Sequence, residues 1–250
     1  SDIDESEFGY LDNIVSERAT ETEETQTEEN TAEETRTETE SATETEETQT
    51  EENTTEDNET ETEEVETEES LQRASNAISV SGADELNNKL SDAKKNATAS
   101  NPYVITLKSG SYNMKDGFTV PGYVTVNTEK GVTINIGSDI TVNGNVTLNL
   151  SGATINYTGS SSKYAFYVKP DSKNVTISDG VLTGGGLYVK ESTDVTISGM
   201  TIKNYEENAI YSVNSSFKNI KDVKAVGGTA GIALNNSTAG SITSCTVADV

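Results

Sequence analysis

The fold class this chain predicts is an all-β solenoid with one helix at its start and a long acidic segment ahead of it. Three observations predict it. After residue 75 the composition shifts to Val, Ile, Thr, Asn and Gly, and apolar residues alternate with polar ones in short runs, the signature of half-buried strands. Apolar positions then recur in columns: Ile134, Ile155, Ile177, Ile197, Ile220 and Ile242 are spaced by 21, 22, 20, 23 and 22 residues. Finally Gly184, Asn204, Gly227 and Asp249 keep step with the columns, and these residue types tolerate a left-handed backbone at a turn.

The acidic segment comes first. The 250-residue chain has a formal charge of -26, and residues 1–73 hold 29 Asp or Glu against three Arg, while 74–250 hold 14 acids and 14 Lys. All the net charge therefore sits in the first part. Residues 19–31, ATETEETQTEENT, recur without change at 42–54. With so little apolar surface and such dense like charge, residues 1–75 are expected to form a disordered, self-repelling linker, because nothing buried offsets the chain entropy. Phe8, Leu11 and Val15 mark only one or two amphipathic turns within it, too few to be stable alone.

Residues 76–250 are expected to form the folded domain. Ala83, Leu86, Leu90, Ala93 and Ala97 share one helical face, with Asp84 and Glu85 at the start and Lys94 and Lys95 at the end, where they complement the helix dipole, so a helix is expected over 83–97. Beyond it only short strands are expected, at 104–107, 124–126, 132–136, 140–142, 146–150, 154–157 and onward. Phe166, Leu187, Ile210 and Ile232 form a second apolar column. Met200, Val223 and Cys245 form a third, and Leu182, Ile202, Ala225 and Val247 a fourth. A repeat of about 22 residues holding about three strands is a solenoid, whose coils bury a continuous aliphatic core only by stacking. The apolar alternation runs on through 247–250 to the last residue, so the domain is expected to be truncated at its C-terminal end.

The stretch GADELNNKLSDAKKNATASNPYVITLKSGSYNM, residues 82–114, resembles the N-terminal cap of the right-handed parallel β-helix superfamily that includes pectate lyases. The repeats NVTISDGVLTG from Asn174 and DVTISGMTIKN from Asp194 resemble its coils. The resemblance implies a right-handed parallel β-helix with a capping helix, in a superfamily of lyases, hydrolases, phage tailspikes and adhesins. It implies polysaccharide as partner, bound or degraded by an extracellular or cell-surface protein; the alternative is a non-catalytic adhesin or structural stalk.

Composition narrows the chemistry. There is no His and only one Cys, which excludes imidazole relays and zinc sites of His or paired Cys. Neither half carries the basic excess that nucleic acid demands, and no apolar run is long enough to span a bilayer. Enzymes that resemble pectate lyase stack Asp residues for calcium beside a basic residue. Here Asp179 and Asp222 share a coil position two turns apart with Gly199 between them, about 10 Å by strand spacing. They are the catalytic candidates, although the reading the residues favour is that both are outward turn residues; no metal site and no cofactor is expected. Tyr205, Glu206 and Glu207 lie on the longest visible excursion, and an aromatic beside carboxylates suits a sugar ring. Asp194, which stacks on Asn174, is a further candidate contact. Five Thr-aliphatic-Asn triplets, at 125–127, 133–135, 141–143, 147–149 and 154–156, send Thr and Asn outward together. Such a file is suited to a glycan, or is simply the polar dress of exposed strands. Cys245, in an inward column, reads as a small core residue.

If the acidic segment is a spacer, deleting residues 1–73 leaves the β signal in circular dichroism and hardly moves the melting temperature; a large loss of stability would mean that it packs on the solenoid.

Overall fold

A computed structural model describes residues 76–250; the expected acidic linker lies outside the described residues. These residues form a right-handed parallel β-helix of about seven turns preceded by one helix. The three faces of the coil are three parallel sheets. The first runs β1 (Ala77–Val80), β2 (Tyr103–Leu107), β5 (Val124–Thr128), β8 (Val146–Asn149), β11 (Lys173–Ser178), β14 (Thr193–Ser198), β17 (Ser216–Lys221), with β20 (Thr238–Ala239) and β21 (Ile242–Thr243) both pairing with β17. The second runs β3 (Gly110–Met114), β6 (Val132–Ile136), β9 (Ala153–Tyr157), β12 (Val181–Thr183), β15 (Thr201–Lys203), β18 (Lys224–Val226), β22 (Thr246–Ala248). The third runs β4 (Phe118–Val120), β7 (Ile140–Val142), β10 (Tyr164–Val168), β13 (Gly186–Lys190), β16 (Asn208–Val213), β19 (Ala230–Asn235).

Helix α1 spans Ala83–Asn96 and buries Leu86, Leu90 and Ala93 against β2, β3 and β4. Gly82 has no side chain to cap it, and the Glu85 carboxylate instead accepts the Ser81 N–H at 2.7 Å. Below the helix Tyr112 is fully buried, and its hydroxyl donates to the carbonyls of Val80 and Lys108 at 2.7 and 2.9 Å. A polar tip in the core is tolerated because both carbonyls meet it. No helix among the described residues is long and apolar enough to cross a membrane.

The columns are in register where the coils are regular. Phe166, Leu187, Ile210 and Ile232 pair in sequence on the third sheet, and Leu182, Ile202, Ala225 and Val247 on the second. Ile177, Ile197, Ile220 and Ile242 pair on the first. The six-membered column divides here: Ile134 and Ile155 belong to the second sheet, where Ile155 pairs with Leu182, while Ile177 pairs with Leu148. One coil is longer than the rest, because the loop 158–163 precedes β10, so Val146 pairs with Val175, 29 residues on. A fixed count therefore lands on the neighbouring sheet. Met200 and Val223 are buried as expected, while Cys245 is half-buried, its thiol 3.4 Å from the Thr243 carbonyl.

The corners solve a polar problem. Gly184, Asn204, Gly227 and Asp249 all have positive φ, and each of the first three N–H groups bonds the carbonyl one coil on. At another corner Ser172, Ser192 and Ser215 are buried; Ser192 Oγ donates to the Lys169 and Lys190 carbonyls, and the Ser192 N–H donates to Ser215 Oγ at 3.1 Å. These hydroxyls satisfy backbone groups that the turn leaves unpaired, which is why a polar residue recurs on the inside.

Ile197 is fully buried between Ile177 and Ile220, whereas Thr196 beside it faces out. Ile197→Ala should cost about 2–5 kcal/mol and Thr196→Ala less than about 0.5 kcal/mol in urea unfolding. Equal effects would contradict the assigned faces.

Candidate functional site

The outer face of the third sheet carries an aromatic ladder. In YAFYV, GLYVK and NAIYSV the inward positions are Phe166, Leu187 and Ile210, so the next residue of each strand, Tyr167, Tyr188 or Tyr211, points out. Register stacks these three on consecutive coils. Tyr167 and Tyr188 have ring centroids 5.4 Å apart at 26°, and Tyr188 and Tyr211 are 5.4 Å apart at 22°. A fourth ring enters from the loop side. Tyr164 lies opposite Gly186, and its ring is 5.5 Å from Tyr188 and 5.9 Å from Tyr211. A register shift between Tyr164 and Phe166 gives the strand the extra residue that allows this.

Stacking leaves the four rings unequally exposed. Tyr164 and Tyr188 are 1% and 6% exposed, while Tyr167 and Tyr211 are half-buried at the ends of the ladder. Their outer neighbours in register are Thr141 and Ala233. The Tyr164 hydroxyl accepts a hydrogen bond from Asn208 Nδ2 at 3.2 Å. Burial pushes its phenol well above the usual range, and the nearby Glu207 charge pushes the same way.

Glu206 and Glu207 form the rim of this face. The loop between β15 and β16 is anchored from within by Tyr205, which is only 3% exposed and whose ring occupies the space a side chain would need at Gly228. Tyr205 was expected to be an exposed sugar contact; it is a core residue, because the alternation places it under the loop. Its buried hydroxyl has no partner. Outside, Glu206 pairs with Lys163 of the 158–163 loop, and the Glu207 carbonyl accepts from Thr229 and Ala230 N–H at 2.8 and 2.9 Å. The carboxylates are thus displayed beside an aromatic surface, though not beside the tyrosine the sequence suggested.

The other candidates lie on different corners. Asp194 is the second residue of β14 on the first sheet, has φ 56°, and its carboxylate is 3.7 Å from the Lys173 ammonium. Asp179 and Asp222 are exposed turn residues with φ 64° and 53°, stacked on either side of Gly199 as expected, between the first and second sheets. They are not brought to Glu206 and Glu207. The Thr-aliphatic-Asn triplets are divided among all three sheets, and the amides of four are engaged from coil to coil: Asn156 donates to Asn135 at 2.9 Å, Asn135 to Asn113 at 2.8 Å, and Asn149 to Asn127 at 2.8 Å, whereas the buried Oδ1 of Asn143 has no partner. Among the described residues no group of three or more His, Cys, Asp or Glu is placed to hold a metal ion.

Sequence reasoning missed the ladder. Its signal was present: Tyr167, Tyr188 and Tyr211 each follow a member of the second column by one position. In comparisons with family models, curated proteins and solved structures, nothing matched this chain.

The buried phenols set an alkaline limit. Tyr103, Tyr112, Tyr157, Tyr164 and Tyr205 are all raised, with desolvation the largest cause in each. A raised folded pKa contributes stability that is intact below the unfolded value, about 10, and is lost as pH rises through the folded value. The melting temperature should therefore hold to about pH 10 and fall above it, with tyrosinate absorbance appearing as the fold opens. A full tyrosinate signal from a still-folded protein at that pH would contradict this burial.

Proposed function

We propose that this β-helix is a glycan-binding module displayed outside the cell, which holds polysaccharide on the outer face of its third sheet without cleaving it. The observation that carries the reading is the ladder of Tyr167, Tyr188 and Tyr211, with Tyr164 beside it and Glu206, Glu207 and Asn208 on its rim. Sugar rings present an apolar C–H face and a periphery of hydroxyls. Half-covered phenol rings suit the first, and phenol hydroxyls, carboxylates and an amide suit the second. Binding is favoured over cleavage because the carboxylates proposed for catalysis, Asp179 and Asp222, stand on a different corner of the coil from this surface. The repetitive Thr/Glu segment, with its 29 acids in residues 1–73, serves in this reading as a spacer that holds the solenoid away from the surface bearing it.

Affinity electrophoresis against a polysaccharide panel tests the proposal. Tyr211→Ala should weaken binding by about tenfold, the loss of about one aromatic contact with its desolvated edge. Glu206→Gln with Glu207→Gln keeps the shape, removes the charge and should weaken binding further. A ladder that only braces the sheet predicts the opposite pattern, in which Tyr211→Ala lowers the melting temperature and no panel member responds to either change.

A further inference from the structure

The tyrosine file of the third sheet is a chemical array as well as a surface. Tyr167, Tyr188 and Tyr211 come from consecutive coils at one register position, and their centroid separations of 5.4 Å are close to the strand spacing of about 4.8 Å. Successive rings therefore leave the sheet in the same direction, with their hydroxyls at a similar height. The tilts of 26° and 22° open each pair like the leaves of a book, so that along one side the rings approach more closely than their centroids do. An ortho carbon lies on either flank of each phenol, and in-register stacking sets those of one ring against those of the next.

The rest of the chain offers these phenols few competitors for an oxidant. There is no Trp and no His, Met114 and Met200 are buried, and Cys245 is half-buried between β21 and β22. Among the remaining described tyrosines, Tyr103, Tyr112, Tyr157, Tyr164 and Tyr205 are buried, and Tyr123, exposed at the corner before β5, makes no ring contact with a described residue. Only Tyr167 and Tyr211 combine an opening to water with a stacked phenol neighbour. That opening lets an oxidised phenol release its proton. Tyr188 between them is covered, which shields a radical there from reductants in solution.

We infer that the file is a site of oxidative cross-linking, at which a one-electron oxidant of the peroxidase and hydrogen peroxide class joins Tyr188 to Tyr167 or to Tyr211 as dityrosine. Each phenol gives up one electron and its hydroxyl proton, and the unpaired spin of the resulting phenoxyl spreads to the ortho carbons. Two neighbouring phenoxyls form one C–C bond between those carbons. The hydrogen on each bonded carbon then passes as a proton to the oxygen of its ring, restoring both phenols. The two electrons and two protons lost reduce one hydrogen peroxide to two molecules of water. The new bond ties residues 21 or 23 apart and closes a loop of one coil, so it restricts the unfolded chain as a disulfide would and staples the register of neighbouring coils. It needs no ligand on this face and does not depend on the glycan reading.

Treating the dilute full chain, carrying Cys245→Ser, with a haem peroxidase and hydrogen peroxide under conditions that couple free tyrosine tests the inference. The monomer should gain dityrosine fluorescence, and peptide mapping should find the Tyr188 peptide joined to that of Tyr167 or Tyr211, the pair lighter by two hydrogens. Tyr188→Phe keeps the ring and its packing but forms no phenoxyl, and should abolish the product. Tyr167→Phe or Tyr211→Phe alone leaves Tyr188 one partner and should preserve it, while both together should remove it. The cross-linked monomer should unfold at higher urea than Tyr188→Phe treated in the same way. No dityrosine in the monomer, a product that survives Tyr188→Phe, or a link that maps to tyrosines outside the file overturns the inference; equal urea midpoints overturn the stapling role.

Discussion

Coil-to-coil register is the constraint on which everything else in this molecule depends. Side chains alternate across a strand, so a slip of one residue between neighbouring coils would turn a whole column from the core to water. In the first sheet that register sets Ile177 on Ile197 and Ile197 on Ile220; on the third it sets Phe166 on Leu187 and Leu187 on Ile210. The aromatic ladder is the outward image of the same pairing. Tyr167, Tyr188 and Tyr211 stack because the residues before them must, and a surface suited to a ring-shaped ligand follows from a rule about the core.

Register is held as much at the corners as along the strands. Asp179, Gly199, Asp222 and Ser244 take positive φ in successive coils, as do Gly184, Asn204, Gly227 and Asp249 at the next corner. A chain of serines at a third corner carries hydroxyls inward to backbone groups that would otherwise be buried unpaired. Outside, asparagine amides bond from coil to coil in the same register. Polar side chains thus reinforce the alignment that the aliphatic columns require. At Glu206 and Glu207 the corner is lengthened, and the core is sealed by Tyr205 so that the carboxylates stand clear of it.

How far this was legible follows from the range of each interaction. Helix α1 could be read from 83 to 97 because its spacing and terminal charges are local, and the structure ends it one residue earlier, at Asn96. The columns from Phe166 onward could be read because the coils there are of similar length. The link from Ile155 to Ile177 could not, since the 158–163 loop shifts the count and both residues are buried β-branched members of strands in either phase. Tyr205 misled for a related reason: polar neighbours on both sides made it look like a loop tip, and only the three-dimensional turn reveals that it points inward.

The register itself can be measured by cross-linking. Thr176 and Thr196 face outward on neighbouring strands and are paired. At a strand spacing of about 4.8 Å, cysteines placed there fall within the Cα separations of about 4.4–6.8 Å that a disulfide spans. Thr176 and Ser198 are offset by two residues, which places them about 8 Å apart, beyond that reach. In a Cys245→Ser background, mild oxidation of Thr176→Cys with Thr196→Cys should give an internal disulfide in nearly all molecules, while Thr176→Cys with Ser198→Cys should give little. Equal cross-linking of the two pairs, or preference for the second, would contradict the register from which both the core and the tyrosine face are built.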